Sequence, residues 1–186
     1  MTKISIYLAS ALIIITGIMG IAVGYILTPS YSLNMYDKNV MDLGRADKWI
    51  DLRYVNAMIS HHRGAMLLAE QAQKSERVEV QNLAKDILKN EPAAIAELYA
   101  SKKAWYNDTK NVADPIGPKL GVYDEKLDLR FLNALIAHHQ NGIIMTKDIR
   151  TKSSRLEVLN NADAVEAFLN GGINMLSEWR KNWYNI

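Results

Sequence analysis

A twelve-residue phrase occurs twice in this chain, and both copies end in a pair of histidines. Residues 51–62 read DLRYVNAMISHH and residues 128–139 read DLRFLNALIAHH, so eight of the twelve positions are identical. The two copies contain all four histidines of the protein: His61, His62, His138 and His139. A duplicated unit that places every imidazole at two equivalent positions predicts a pseudo-symmetric fold with a pair of related ligand positions.

The duplication extends well beyond this phrase. At a spacing of 77 residues, which rises to 78 after a one-residue insertion near 151–153, Glu79-Val80 matches Glu157-Val158 and Trp105-Tyr106 matches Trp183-Tyr184. Two repeats are too few for a solenoid. They favour a single domain with two-fold pseudosymmetry.

Each repeat has the pattern of two helices. Apolar residues recur at helical spacing from Tyr54 to Ala72 and again from Phe131 to Ile149, and no segment alternates with period two for long enough to predict a strand. We therefore predict an all-α fold, in which an N-terminal transmembrane helix is followed by a four-helix bundle built from two repeated helical hairpins. The predicted divisions are a tail at 1–3, an anchor at 4–27, a linker at 28–46, a first hairpin at 47–106, a loop at 107–123 and a second hairpin at 124–186.

Local signals predict where these helices begin and where they are weak. Asp47 is the predicted N-cap of the first helix, and Ser154 with Glu157 three residues later forms a capping box for the last one. Pro92 and the pair Gly171-Gly172 fall at equivalent places in the second helix of each repeat. Because proline removes a backbone donor and paired glycines lower helix propensity, we expect a kink or a short break at both places.

The predicted anchor is an apolar run near the N-terminus. Residues 4–27 carry no charge over 24 positions, and at about 1.5 Å per residue they exceed the roughly 30 Å of a bilayer core. A cleaved signal peptide is the main alternative, but its apolar region usually has about 7–15 residues. Lys3 precedes the run, and residues 28–37 after it contain no Lys or Arg. The positive-inside rule therefore predicts a single-pass protein with a cytoplasmic N-terminus and a periplasmic or cell-surface domain.

The composition excludes several classes of partner and cofactor. The protein has no cysteine, which excludes disulfides, thiolate metal sites, iron–sulfur clusters and covalently attached haem. Of its 22 basic residues only Lys3 precedes position 28, so 21 basic residues stand against 20 acidic ones after the anchor. Such a balanced charge gives no basic surface for nucleic acid.

Motifs for catalysis are also missing from the sequence. A di-iron site of the ferritin type needs Glu-x-x-His on two helices. The residues three positions before the histidines are all apolar: Met58, Ile59, Leu135 and Ile136. We therefore predict neither a di-iron site nor an enzyme.

The histidines and nearby methionines are candidate ligands for a soft metal. Adjacent residues on a helix point about 100° apart, so one site would take a histidine from each pair, or there would be two separate sites. Met58 and Met66 flank His62 at a spacing of four, and Met145 lies seven residues after His138. Imidazole and thioether without thiolate suit Cu(I) better than Zn, Mg or Ca. The alternative interpretation is that these methionines fill the core and the histidines are structural.

The histidine pairs and their surroundings resemble the domain-of-unknown-function 305 family. Its signature looks like F-[IL]-D-x-M-I-x-H-H-x-x-A-x-x-M-A, which residues 54–69 match once and the segment from Phe131 to Met145 matches again. The resemblance implies a ferritin-like four-helix fold. It also implies an exported or membrane-anchored protein that handles copper or silver rather than catalysing a reaction.

Carried over by position, the family's ligands correspond to both histidine pairs together with Met58 and Met145. The chain departs from the signature in two ways. Asn56 and Asn133 replace its Asp, which would weaken any orienting contact to an imidazole, and each repeat keeps only one of the two signature methionines. A degenerate site is therefore an alternative.

The sequence thus predicts a membrane-anchored, extracytoplasmic protein that binds Cu(I) or Ag(I) through His and Met. The alternative is a helical interaction module, or an accessory subunit of a membrane complex. Its partner would be that complex or a second copy of the chain, and its tryptophans would supply an aromatic surface. The tryptophans are Trp49, Trp105, Trp179 and Trp183.

Overall fold

Four helices account for most of the protein in a computed structural model, which describes residues 42–186. The helices are α1 (Ile50–Ala72), α2 (Val78–Tyr106), α3 (Leu127–Arg150) and α4 (Leu156–Tyr184). No strand occurs among the described residues, so the predicted all-α four-helix fold is confirmed. The predicted anchor at 4–27 lies outside the described residues. Within 42–186, no helix combines the length and the apolar character needed to cross a membrane.

The helices form two hairpins that meet through their first members. Helix α1 packs on α2, α3 packs on α4, and α1 packs against α3. Asp51 at the start of α1 accepts a hydrogen bond from Ser153 just after the end of α3, whereas His61 meets His138 near the middle of both helices. The central helices α1 and α3 are therefore antiparallel, as a two-fold axis between them requires.

The apolar core consists of two clusters, one toward each end of the bundle. One cluster holds Leu68 and Ala72 of α1 with Phe131 of α3. The other holds Tyr54 of α1 with Ile149 of α3. The histidines occupy the sequence positions between these clusters on both central helices, so they form a polar layer across the middle of the bundle.

The pseudosymmetry begins upstream of the two phrases. Arg53 donates from Nε to the carbonyl of Leu43 at 2.5 Å, and Arg130 makes the same bond to Leu120. Each of these leucines precedes a glycine with positive φ, 71° at Gly44 and 84° in the second copy. A glycine in the left-handed conformation turns the chain, and this turn lets the arginine side chain reach the leucine carbonyl.

Two of the local predictions are wrong in detail. The residue before α4 is Arg155, with no side-chain cap. Its backbone N–H donates a hydrogen bond to the hydroxyl oxygen of Ser153 at 3.1 Å rather than to Ser154. The side chain of Ser153 is held there because it also contacts Asp51. At α1, Asp47 accepts from the N–H of Trp49 and so closes the turn before the helix instead of capping it.

Neither second helix is interrupted at the place where the sequence predicted a kink or a short break. Pro92 lies inside α2, which runs without interruption for 29 residues. Helix α4 has the same length and passes through Gly171-Gly172. A proline removes a single donor, and the neighbouring hydrogen bonds and the packing on α1 keep the helix continuous.

Candidate metal centre

Two histidines from opposite repeats meet at the centre of the bundle. The rings of His61 and His138 stack with their centroids 3.8 Å apart and 21° between their planes. The Nε2 atom of His61 donates to the carbonyl oxygen of His138 at 3.1 Å. Both side chains are buried. The pairing of equivalent histidines across the pseudo-two-fold axis thus appears in the structure as a ring stack.

Within each pair, the adjacent imidazoles diverge, as their helical spacing predicts. The ring planes of His61 and His62 make an angle of 84°, and those of His138 and His139 make an angle of 53°. All four rings nevertheless line one cleft of about 280 Å³, which lies between α2 and α4 and is floored by the central helices. The fold therefore brings every imidazole of the protein to a single place.

Glycines on the second hairpin make room for two of these rings. A Cβ atom on Gly142 would lie 2.7 Å from Nε2 of His61, and one on Gly172 would lie 2.5 Å from Nε2 of His139. Both distances are far below ordinary van der Waals contact. The equivalent residues of the first repeat are Ala65 and Ala94. The second repeat thus packs more closely against the imidazole rings than the first repeat does.

A carboxylate that the sequence analysis did not single out contacts one of the histidines. Glu91 of α2 hydrogen-bonds Nδ1 of His62 and lines the same cleft. The residue equivalent to it in the second repeat is Leu169. No local pattern pointed to Glu91, because 29 residues separate it from His62. The one signal in the sequence was that the two repeats differ at this position, with Glu in the first and Leu in the second.

Burial holds the inner imidazoles in the neutral form. Loss of solvent lowers the pKa of His61 to about 3, helped by repulsion from His62, and lowers the pKa of His139 to about 4. The pKa of His138 is also well below its ordinary value, first because of burial and then because of the neighbouring imidazoles. Neutral imidazole is the form that binds a metal.

The predicted methionine ligands lie away from the cleft. Met58 and Met145 are fully buried in the apolar cluster around Tyr54, and neither lines the cleft. Met66 is half-buried and does not line it either. Among the described residues, no group of three or more His, Cys, Asp or Glu side chains is arranged to hold a metal ion.

Comparison with protein-family models gives a match in the first repeat. The profile of the family described as "Domain of unknown function (DUF305)" matches residues 51–119, which span the first hairpin and the loop after it. This match supports the resemblance to the DUF305 family over that segment. A search of curated protein sequences finds no match.

Solved structures extend the likeness to the second hairpin. CopM in its Cu(I)-bound form is 26% identical, with a TM-score of 0.64 over 74% of this chain and 99% of that one. CopM in its Cu(II)-bound form is 25% identical, with a TM-score of 0.61 over 72% and 97%. A DUF305 fragment from Deinococcus radiodurans is 23% identical, with a TM-score of 0.59 over 73% and 97%, and shares the fold.

The departures from the DUF305 signature at Asn56 and Asn133 do not concern the imidazoles. Asn56 accepts a hydrogen bond from the ammonium of Lys102 at 3.0 Å, and Asn133 accepts one from Arg180 at the same distance. Lys102 and Arg180 are equivalent residues of α2 and α4. In this chain the signature position thus ties the two helices of each hairpin together.

Proposed function

We propose that this protein is a membrane-anchored, extracytoplasmic metal-binding protein that holds Cu(I) or Ag(I) in the mid-bundle cleft, for metal handling or tolerance and without catalysing a reaction. The observation that carries the proposal is the layer of imidazoles that line one cleft, three of them buried and kept neutral. Burying a polar ring atom is costly unless it is partnered, and a bound cation would be such a partner for Nδ1 of His139, which has no hydrogen bond within the described residues.

Two further points support a soft metal. Imidazole with few anionic ligands suits the low charge of Cu(I) and Ag(I). CopM, which is 26% identical in its Cu(I)-bound form, has also been solved in Cu(II)-bound and Ag-bound forms.

The structure gives less support to the interaction module. Trp105 and Trp183 each cover the guanidinium of an arginine that precedes a helix, with 4.5 Å from ring centroid to Cζ in both cases. Trp179 stacks on Trp183 and packs against the core. Trp49 is 46% exposed and its ring lies 5.7 Å from that of Tyr106, so all four tryptophans have contacts within the bundle.

The binding test uses the full-length chain, purified in detergent. Anaerobic titration of Cu(I) against a chromophoric Cu(I) chelator should show that the protein competes for the metal. A variant with all four histidines changed to asparagine should not compete. Because that variant loses buried rings, circular dichroism must show that it remains helical, and the single change His139→Asn serves as a milder variant. If the unmodified protein does not compete with the chelator, the proposal is wrong.

The location is tested separately. Protease added to cells whose outer layers have been removed but whose cytoplasmic membrane is intact should degrade the domain if it lies outside the cytoplasm, as the uncharged run at 4–27 and Lys3 before it predict. A domain that becomes sensitive only after the cytoplasmic membrane is broken would contradict the proposed orientation.

A further inference from the structure

We propose that the outer face of α3, formed by Gln140 and Ile144, is the docking surface for residues 31–41 of the same chain. These two residues are equivalent to Arg63 and Leu67 on the outer face of α1. The proposal does not depend on metal binding. It makes part of the predicted linker a component of the domain, which then begins near residue 31 rather than at residue 47.

The loop between the two hairpins covers the outer face of α1. Arg63 donates a hydrogen bond to the carbonyl oxygen of Val112 and forms an ion pair of 3.0 Å with Asp114. A Cβ atom on Gly117 would lie 3.1 Å from Cβ of Leu67, so the backbone of the loop lies directly on that leucine. Polar and apolar contacts therefore both hold the loop on α1.

The equivalent face of α3 has no such cover among residues 42–186. Ile144 is 55% exposed, whereas Leu67 is half-buried. Gln140 is exposed, whereas Arg63 is half-buried. Because α1 and α3 occupy the same place in the two repeats, the difference arises from the chain that packs on them. At the spacing of 77 residues, the segment that corresponds to the loop is 31–41.

A buried guanidinium nitrogen lacks the kind of partner that its equivalent has. Lys102 of α2 donates to the carbonyl oxygen of Lys110 and forms an ion pair of 3.2 Å with Asp108, both in the loop. The equivalent residue of α4 is Arg180, and its Nε atom is buried without a hydrogen bond within the described residues. Buried polar atoms are nearly always paired. By the repeat, the missing acceptor corresponds to the carbonyl oxygen of Leu33.

The chain before α1 enters the bundle beside α3. Leu43 packs in the apolar cluster that contains Ile149 of α3, just as Leu120 packs in the cluster that contains Ala72 of α1. Residue 40 is three positions before Leu43, and three residues of extended chain span at most about 11 Å. Its attachment at Leu43 therefore keeps the segment within reach of the outer face of α3.

The sequence of the segment fits the same register as the loop. Residues 31–41 read YSLNMYDKNVM, in which six of eleven residues are apolar or aromatic. Val40 takes the place of Gly117 and so falls opposite Ile144, and contact between two aliphatic side chains favours docking. Because valine is larger than glycine, the segment should lie further from α3 than the loop lies from α1. Two polar residues are identical to those of the loop: Asn34 matches Asn111, and Asp37 matches Asp114.

The test is an engineered disulfide in the full-length protein, which has no cysteine of its own. The pair Val40→Cys and Ile144→Cys should form a disulfide within one chain under mild oxidation, because a disulfide requires Cβ atoms about 3.5–4.5 Å apart. Ile144 is exposed, so its replacement leaves the core intact. The reference pair is Gly117→Cys and Leu67→Cys, at the contact that the loop already makes.

The matched control moves one cysteine by a single residue. Asn39 is equivalent to Ile116 of the loop, which is 93% exposed, so its side chain should point away from α3. We expect the pair Asn39→Cys and Ile144→Cys to close at least about tenfold more slowly than the Val40→Cys pair, since the required Cβ separation is met at only one of the two neighbouring positions. Alkylation at timed intervals, followed by mass spectrometry of the linked peptides, measures both rates.

Three outcomes would overturn the inference. Equal rates for the two pairs would show that the segment passes over this face without docking in a register. Failure of the Val40→Cys pair to close while the reference pair closes would show that the segment lies elsewhere. A disulfide found only between two copies of the chain would show that the surface binds a second molecule instead.

Discussion

Arg155, the residue before α4, donates a hydrogen bond of 3.1 Å to Asp51 near the start of α1. The equivalent pair, Arg77 and Asp128, lies 3.4 Å apart at the other end of the bundle. Each bond joins one repeat to the other rather than closing a hairpin on itself. The two hairpins are therefore held together at both ends, with the histidine layer between the two contacts.

The two ends should differ in strength, because Asp51 is better partnered than Asp128. Asp51 also accepts from the hydroxyl of Ser153 at 2.5 Å, whereas Oδ1 of Asp128 is buried without a hydrogen bond within the described part of the chain. We expect Asp51→Ala to lower the free energy of unfolding by about 1–3 kcal/mol and Asp128→Ala to lower it by less. Urea denaturation of both variants measures this, and equal losses would contradict the prediction.

Adjacent glycines in α4 should respond in opposite ways to a methyl group. A Cβ atom on Gly172 would lie 2.5 Å from Nε2 and 2.6 Å from Cδ2 of His139, whereas one on Gly171 would meet nothing within 4 Å. We expect Gly172→Ala to destabilise the fold by about 1–3 kcal/mol through overpacking. The matched control Gly171→Ala should stabilise it by about 0.5–1 kcal/mol through helix propensity. Thermal unfolding of the two variants, followed by circular dichroism, distinguishes these effects, and the same sign of change in both would refute the assignment.

Acid should begin to destabilise the metal-free protein at pH values higher than those at which most carboxylates titrate. His61 and His139 have pKa values lowered to about 3 and about 4 in the fold, while an unfolded histidine titrates near 6.5. Below about pH 6.5 the unfolded chain therefore binds protons that the folded chain does not, so stability is fully present above that pH and falls toward pH 4. Each such histidine contributes a slope of roughly 1 kcal/mol per pH unit.

The measurement is the free energy of unfolding in urea between pH 7 and pH 5. His139→Asn should give a shallower decrease than the unmodified protein, since it removes one of the depressed groups. A free energy of unfolding that stays constant over this range would show that the inner imidazoles are not held neutral by burial.

Metal should stabilise the fold by mass action if the proposed site exists. A ligand that binds only the folded state, at a free concentration of about 100 times its Kd, adds about 3 kcal/mol. We expect Ag(I) to raise the Tm of the unmodified protein by several degrees and a thiol chelator to reverse the shift. His139→Asn should show a smaller shift at the same Ag(I) concentration, and an identical shift would argue against a site in the histidine layer.

Periodicity and duplication were sufficient to predict most of the architecture. The apolar spacing predicted four helices, and the repeated phrase predicted that α1 and α3 are equivalent. Both follow from short-range rules, since residues three and four apart share a helix face wherever the helix lies. Boundaries were less predictable, because the choice between Ser153 and Ser154 depends on Asp51, which is about 100 residues away in the chain.

The ligand set shows the limit of the same reasoning. Met58 shares a helix face with His62 at a spacing of four, but the packing of α3 turns that side chain into an apolar cluster. Glu91 lies 29 residues after His62 and has no local relation to it. Only the packing of α2 on α1 puts both on one cleft.

The sequence by itself determined that the protein has two equivalent helical hairpins, that every imidazole belongs to one repeated phrase, and that thiolate chemistry is excluded. These are properties of residue type and of spacing along one helix. The tertiary structure alone decided that the four imidazoles share a cleft and that the two outer histidines differ: Glu91 is hydrogen-bonded to Nδ1 of His62, whereas Nδ1 of His139 has no hydrogen bond within the described residues. The physical reason is that helix packing brings together side chains from distant segments, and small residues such as Gly172 set how closely they approach.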